Sequence, residues 1–153
     1  MTTTDVKFQP IKKSTEINAS TQKVWHVLLD EEFTTKWYTA FGEDVHAETD
    51  WQLNSKATFT DGNGSGIVGK IVANEPCKII SIEYYGCIEK GKEDLVSENA
   101  IAMQGGRETY ILSEKQGITN VAIEVDMPPQ MCDMMSAAWD NALQKIKLLS
   151  EQN

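Results

Sequence analysis

A guanidinium and a carboxylate stand side by side at Arg107-Glu108, at the head of an alternating run that continues Thr109-Tyr110-Ile111-Leu112. Successive side chains of a strand point to opposite faces, so only one of the two charges can face a core. If Glu108 shares a face with Tyr110 and Leu112, its carboxyl group lies in apolar surroundings. Burial there raises a carboxyl pKa, which suits general acid or base work or the anchoring of a ligand. A carboxylate at a strand end ordinarily stays in solvent, and the sequence leaves both placements open.

Two other patterns have the residue types of metal sites. Asp61-Gly62-Asn63-Gly64-Ser65-Gly66 reproduces the first half of an EF-hand loop, with oxygen donors at positions one, three and five and the turn glycine at six. The closing position needs a bidentate glutamate and holds Val72 instead, and both flanks read as strands, so a glycine-rich hairpin loop is the expectation. His46, Glu48 and Asp50 alternate with Val45, Ala47 and Thr49. Three such side chains on one strand face can meet a metal, but a half-buried strand presents the same polar outer face without one. His26 is the only other histidine, and neither a metal nor a cofactor is expected. Cys132 has no histidine near it in sequence, and Ser65 lacks the strand-to-helix context of a nucleophile elbow, so nucleophilic catalysis is not expected.

The elements that would position these groups follow from periodicity. Lys12 to Asn18 alternates as a strand, with Lys13, Thr15 and Ile17 on one face. Ser20 is a good N-cap for a helix carrying Val24, Val27 and Leu28 at helical spacing. A second short helix or turn leads to Trp37-Tyr38-Thr39-Ala40-Phe41-Gly42, where three aromatics in five residues are expected to close over something. Strands are expected at 45–49, 56–60, 67–72 and 78–85, then a charged, irregular stretch over 87–105. Arg107 to Ser113 and Thr119 to Val125 form a hairpin across Glu114-Lys115-Gln116-Gly117. After Pro128-Pro129 a long helix runs to about Leu149, with Met131, Met134, Met135, Ala138, Ala142, Ile146 and Leu149 as its stripe and Trp139 and Leu143 at the edge. Short connections between successive strands imply antiparallel pairing, hence an α+β fold.

At 153 residues the chain suits a single domain, expected over 11–153 after a flexible N-terminus at 1–10. Its net charge of −9 disfavours contact with a phosphate backbone, so no nucleic acid is expected. Apolar runs are far shorter than the roughly 18 residues of a membrane span, so no membrane is expected either. Cys77, Cys87 and Cys132 are too few and too scattered for a disulfide framework, and with no signal peptide visible a cytoplasmic location is expected. A homodimer is compatible with all of this.

The order of elements, with Glu16-Ile17-Asn18-Ala19-Ser20 leading into Val24-Trp25, Lys36-Trp37-Tyr38, Phe59 and Asp61-Gly62, Glu75-Pro76, Gly106 with Glu108-Thr109, and Trp139 in the last helix, resembles the START-like or SRPBCC superfamily. Within it the chain is similar to the branch named for the activator of heat-shock protein 90 ATPase. The resemblance implies a helix-grip fold, a curved antiparallel sheet of six to seven strands wrapped around a long C-terminal helix, with two short helices after the first strand. It also implies a hydrophobic cavity between sheet and helix, and an association with stress response.

On that fold, Trp37, Tyr38, Phe41, Phe59, Tyr84, Tyr110, Met131, Met135 and Trp139 are the expected cavity lining. Binding of a small, mainly hydrophobic molecule is the expected function. The alternatives are an enzyme acting on a hydrophobic substrate (a cyclase or hydrolase-like activity) with Glu108 as its acid or base, and a co-chaperone-like interaction module. No segment before residue 11 is expected to supply the separate chaperone-binding domain of the true co-chaperone, which argues against a chaperone contact.

Overall fold

The computed structural model describes residues 7–152. One antiparallel sheet carries the fold, built from β1 (Gln9–Ile17), β2 (His46–Glu48), β3 (Lys56–Thr60), β4 (Gly66–Glu75), β5 (Ile79–Glu89), β6 (Lys92–Asp94), β7 (Arg107–Lys115) and β8 (Ile118–Met127). Its order is β1-β8-β7-β5-β4-β3-β2, with β6 paired to β5 off that path. Helices α1 (Thr21–Leu29) and α2 (Glu31–Trp37) follow β1, α3 (Glu98–Met103) sits between β6 and β7, and α4 (Cys132–Glu151) closes the chain. The curved sheet around a long last helix is the expected helix-grip fold, with eight strands rather than six or seven. No helix among the described residues is long and apolar enough to cross a membrane.

Local chemistry explains the boundaries. The Ser20 hydroxyl accepts the Lys23 N–H at 3.1 Å and starts α1, whose Val24, Val27 and Leu28 are fully buried. Two-residue turns close the β5–β6 and β7–β8 hairpins, and both central residues of each lie at positive φ: Lys90-Gly91 and Gln116-Gly117. Register breaks between Val68 and Gly69 and between Ile71 and Ala73 bend β4 where it pairs with β5. At Gly66 a Cβ would stand 1.7 Å from the Phe59 carbonyl oxygen, so only glycine lets β3 and β4 meet there.

Three expectations need correction. The expected flexible N-terminus at 1–10 lies outside the described residues only over 1–6; Gln9 and Pro10 already pair with Met127 and Asp126. The stretch over 87–105 is not irregular: β5 continues to Glu89, a three-residue β6 folds back on it, and Ser97 caps α3 by accepting the Ala100 N–H at 3.2 Å. Elements of three and six residues are too short to leave a periodic signal. The α4 stripe is rotated: Met134 is 64% exposed, while Trp139 is 1% exposed and central. The buried line runs through Cys132, Trp139, Ala142, Leu143, Ile146 and Ser150. Pro129–Met131 is a 3-10 turn, so α4 begins at Cys132 and Met131 stands ahead of it.

The core lies between the inner face of the sheet and α4. Ile11, Ile17, Ile80, Ile82, Val121, Ile123 and Val125 come from strands, and Ala142 and Ile146 from the helix. Three polar contacts pin α4 to β1 and its end, from the middle of the helix onward: Lys13 Nζ to Asp140 at 2.7 Å, Lys147 Nζ to the Glu16 carbonyl at 2.6 Å, and the Asn18 N–H to the Glu151 carboxylate at 2.8 Å.

Candidate functional site

Toward the N-terminal half of α4, sheet and helix separate around a cavity of about 320 Å³. Its wall contains Trp37, Tyr38, Phe41, Phe59, Tyr84, Tyr110, Met135 and Trp139, eight of the nine residues expected from sequence. Met131 is not on the wall. It ends the 3-10 turn ahead of α4 and packs against the core instead. Sequence reasoning missed Met127 at the end of β8, Val45, and the mouth formed by Thr60, Asp61, Ser65, Gly66 and Ile67. The alternation Val121-Ile123-Val125-Met127 on β8 carried the signal for Met127.

The aromatic wall is closely packed. Trp37 ends α2, and its indole N–H donates to the Val27 carbonyl at 2.9 Å in a buried hydrogen bond that ties α2 to α1. Around it stand Tyr38, Phe41, Tyr110 and Trp139, with ring centroids 4.5, 6.4, 6.3 and 6.0 Å away. Phe41 meets Trp139 edge-on at 4.9 Å, so the segment after α2 is bound to α4. Such edge-to-face pairs each contribute about 0.5–1.5 kcal/mol beyond burial. The Trp139 indole N–H itself is buried without a partner among the described residues, a cost the cavity wall carries.

Besides Thr60, Asp61 and Ser65, the wall carries one polar cluster centred on Glu108. Glu108 faces the cavity from β7, while Arg107 points to the other side and pairs with Glu83 at 3.1 Å. The register sets Glu108 beside Ile82 and Val125, both fully buried. Tyr84 and Tyr110 donate their hydroxyls to its two oxygens, Tyr84 to Oε1 and Tyr110 to Oε2. Tyr84 is held in place by backbone hydrogen bonds to Gly105 and Gly106 at 2.9 and 2.8 Å, just ahead of β7.

Burial pushes the Glu108 pKa above the usual carboxyl range, and the two phenol hydrogen bonds partly hold it down. Burial first and the Glu108 charge second push the Tyr38, Tyr84 and Tyr110 hydroxyls upward. The three phenols therefore stay protonated at neutral pH and serve as donors, leaving Glu108 as the carboxyl group beside them able to exchange a proton.

The other sequence patterns do different work. Asp61 folds its own loop, with Oδ1 accepting the N–H groups of Asn63 at 2.8 Å and Ser65 at 3.1 Å. His46 Nε2 is 3.9 Å from the Glu48 carboxylate, but Asp50 caps the Gln52 N–H at 2.9 Å instead. Among the described residues, no three His, Cys, Asp or Glu side chains converge as metal ligands. None of the cysteines lines the cavity, and neither does a histidine.

A curved antiparallel sheet, a long gripped helix and a cavity between them define a START-like, SRPBCC-type helix-grip protein. The chain belongs to the family described as activator of Hsp90 ATPase homolog 1-like protein, whose model matches residues 18–151. Solved structures share the fold at low identity. Protein MLL2253 from Mesorhizobium loti aligns with a TM-score of 0.72 at 13% identity, over 92% of this chain and 96% of its own. The Aha1 dimer from Colwellia psychrerythraea gives 0.69 at 16%, over 94% and 96%. CalU16 from Micromonospora echinospora gives 0.66 at 18%, over 94% and 76%. No curated protein sequence matches the chain.

Proposed function

We propose that this protein binds a small, mainly apolar molecule in the cavity between sheet and α4, with one polar group of the ligand against Glu108. The observation that carries this reading is an aromatic-walled space of about 320 Å³ whose deep polar feature is a carboxylate held by two tyrosines. Ligand sites span roughly 300–1,000 Å³, so this one fits a molecule of one or two rings better than a long acyl chain. Native mass spectrometry and thermal shifts against small aromatic compounds test it. A ligand that raises Tm in proportion to its logarithmic excess over Kd supports the reading. Unchanged Tm across the library, with Trp37 and Trp139 fluorescence also unmoved, overturns it.

Catalysis by Glu108 on an apolar substrate is the second reading, supported by its upward-shifted pKa inside the cavity. An activity lost in Glu108→Gln while binding persists would select it over simple binding. As further parts of the proposal, residues 11–153 act as one domain, and the three free cysteines fit a reducing, cytoplasmic setting. Self-association is also proposed, by likeness to the dimeric Colwellia protein, and is tested by sedimentation.

A further inference from the structure

Glu108 has an unusual lack of company. Among the described residues no lysine, arginine or histidine lines the cavity, and the neighbouring Arg107 is spent on Glu83 across the sheet. The second carboxylate on the wall, Asp61, stands at the mouth. A carboxylate taken out of water without a cationic partner is costly, and two phenol hydrogen bonds offset only part of that cost.

The donors and acceptors point the same way. Because Tyr84 and Tyr110 commit their protons to Glu108, they turn only lone pairs toward a ligand. The carboxylate accepts two hydrogen bonds of the roughly four its oxygens can take. While Glu108 is ionised, its carboxylate and these lone pairs present negative charge and acceptors. The ring donors left on the wall, the Tyr38 hydroxyl and the Trp139 indole N–H without a partner among the described residues, are neutral groups that supply no counter-charge. Seven aromatic side chains on the wall add the negative faces of their rings. The net charge of −9 favours approach of a cation to the mouth.

We propose that the cavity selects an organic cation: a substituted ammonium group seated among the aromatic rings and paired with Glu108, carrying an apolar body of about one ring. This rests on the reading of the cavity as a ligand site and names the class of ligand it takes. The ammonium supplies the counter-charge that the protein omits, and the rings solvate its alkyl groups. An anionic amphiphile meets two carboxylates and no base. Binding follows the ionisation of Glu108, since the titratable groups facing it are the three phenols Tyr38, Tyr84 and Tyr110, with Asp61 at the mouth.

The test is a calorimetric titration of the whole protein with three probes of similar size: benzyltrimethylammonium, its neutral isostere neopentylbenzene, and phenylacetate. The expected order is the cation at least about tenfold tighter than the isostere, with no binding of phenylacetate. In Glu108→Gln the ratio of cation to isostere affinity falls below about threefold by loss of the charge pair. Acidifying the wild-type protein weakens the cation and leaves the isostere unchanged, a check that needs no variant. An isostere that binds as tightly as the cation, a ratio that survives Glu108→Gln, or a cation affinity flat with pH overturns cation selection while leaving an apolar site standing. Binding of none of the three, together with silence across the aromatic library, overturns both.

Discussion

Replacing Tyr110 by Phe deletes one oxygen from the pair of phenols that hold Glu108, and leaves the ring in its packing against Trp37 and Trp139. No void opens, so the loss measures the hydrogen bond to Oε2. A hydrogen bond to an ionised group contributes about 1.5–3 kcal/mol, a neutral one about 0.5–1.5 kcal/mol. For a chain of this size 1 kcal/mol moves Tm by about 2–4 °C, so Tyr110→Phe should lower Tm by about 3–12 °C at neutral pH. The sign of the pH dependence follows from the upward shift of the Glu108 pKa. A raised carboxyl pKa contributes stability below the unfolded value, and that contribution is lost as pH rises through the folded value. Removing the phenol raises the folded pKa further, so the variant's deficit grows with pH and shrinks to the neutral-bond range below the unfolded carboxyl pKa. Urea denaturation at both pH values reads the difference directly. Equal deficits at the two pH values, or a variant more stable than wild type at neutral pH, would refute an ionised Glu108 held by Tyr110.

Glu108→Gln should be at least as stable as wild type at neutral pH, and its advantage should vanish below the unfolded carboxyl pKa; chemical denaturation across that range checks it. Trp139→Ala should cost about 3–5 kcal/mol and Met134→Ala less than about 0.5 kcal/mol, a contrast that thermal unfolding resolves and that depends on the rotated stripe of α4. Gly66→Ala should cost at least about 1–3 kcal/mol and should shift the amide resonances of both β3 and β4, because its Cβ collides with the Phe59 carbonyl.

The strands with clean alternation were legible in the sequence because one face had to be buried. Ile80, Ile82 and Tyr84 share the inner face of β5, and Val121, Ile123 and Val125 that of β8. Lys56–Thr60 matches β3 at both ends; β2, at His46–Glu48, is shorter than the expected 45–49, and the remaining expected strands run longer than their alternation suggested. The aromatics gathered where they did because Trp37, Tyr38 and Phe41 follow one another across the end of a helix and cannot all be solvated. Three features were not legible. The placement of Glu108 depends on which side of β7 faces α4, and that is settled by pairing with Ile82 and Val125 rather than by residues near 108. The loop at 61–66 forms the mouth only through its position over the cavity, which local composition does not encode. The phase of α4 was misread because methionine is apolar enough to fit either face.

The anchoring of α4 to β1 has a kinetic consequence. Lys13 holds the middle of the helix at Asp140, and its C-terminal half is held by Asn18 and the Glu16 carbonyl and buries Ala142 and Ile146 completely. Its N-terminal half roofs the cavity, with Met134 largely in solvent and Met135 only partly buried. Local opening is cheapest where buried apolar contact is thinnest, so amide protons around Met134 and Met135 should exchange well before those around Ile146. On the proposed reading of the cavity as a ligand site, a guest is expected to leave through opening of this near end, so its release rate should track amide exchange around Met134 and Met135.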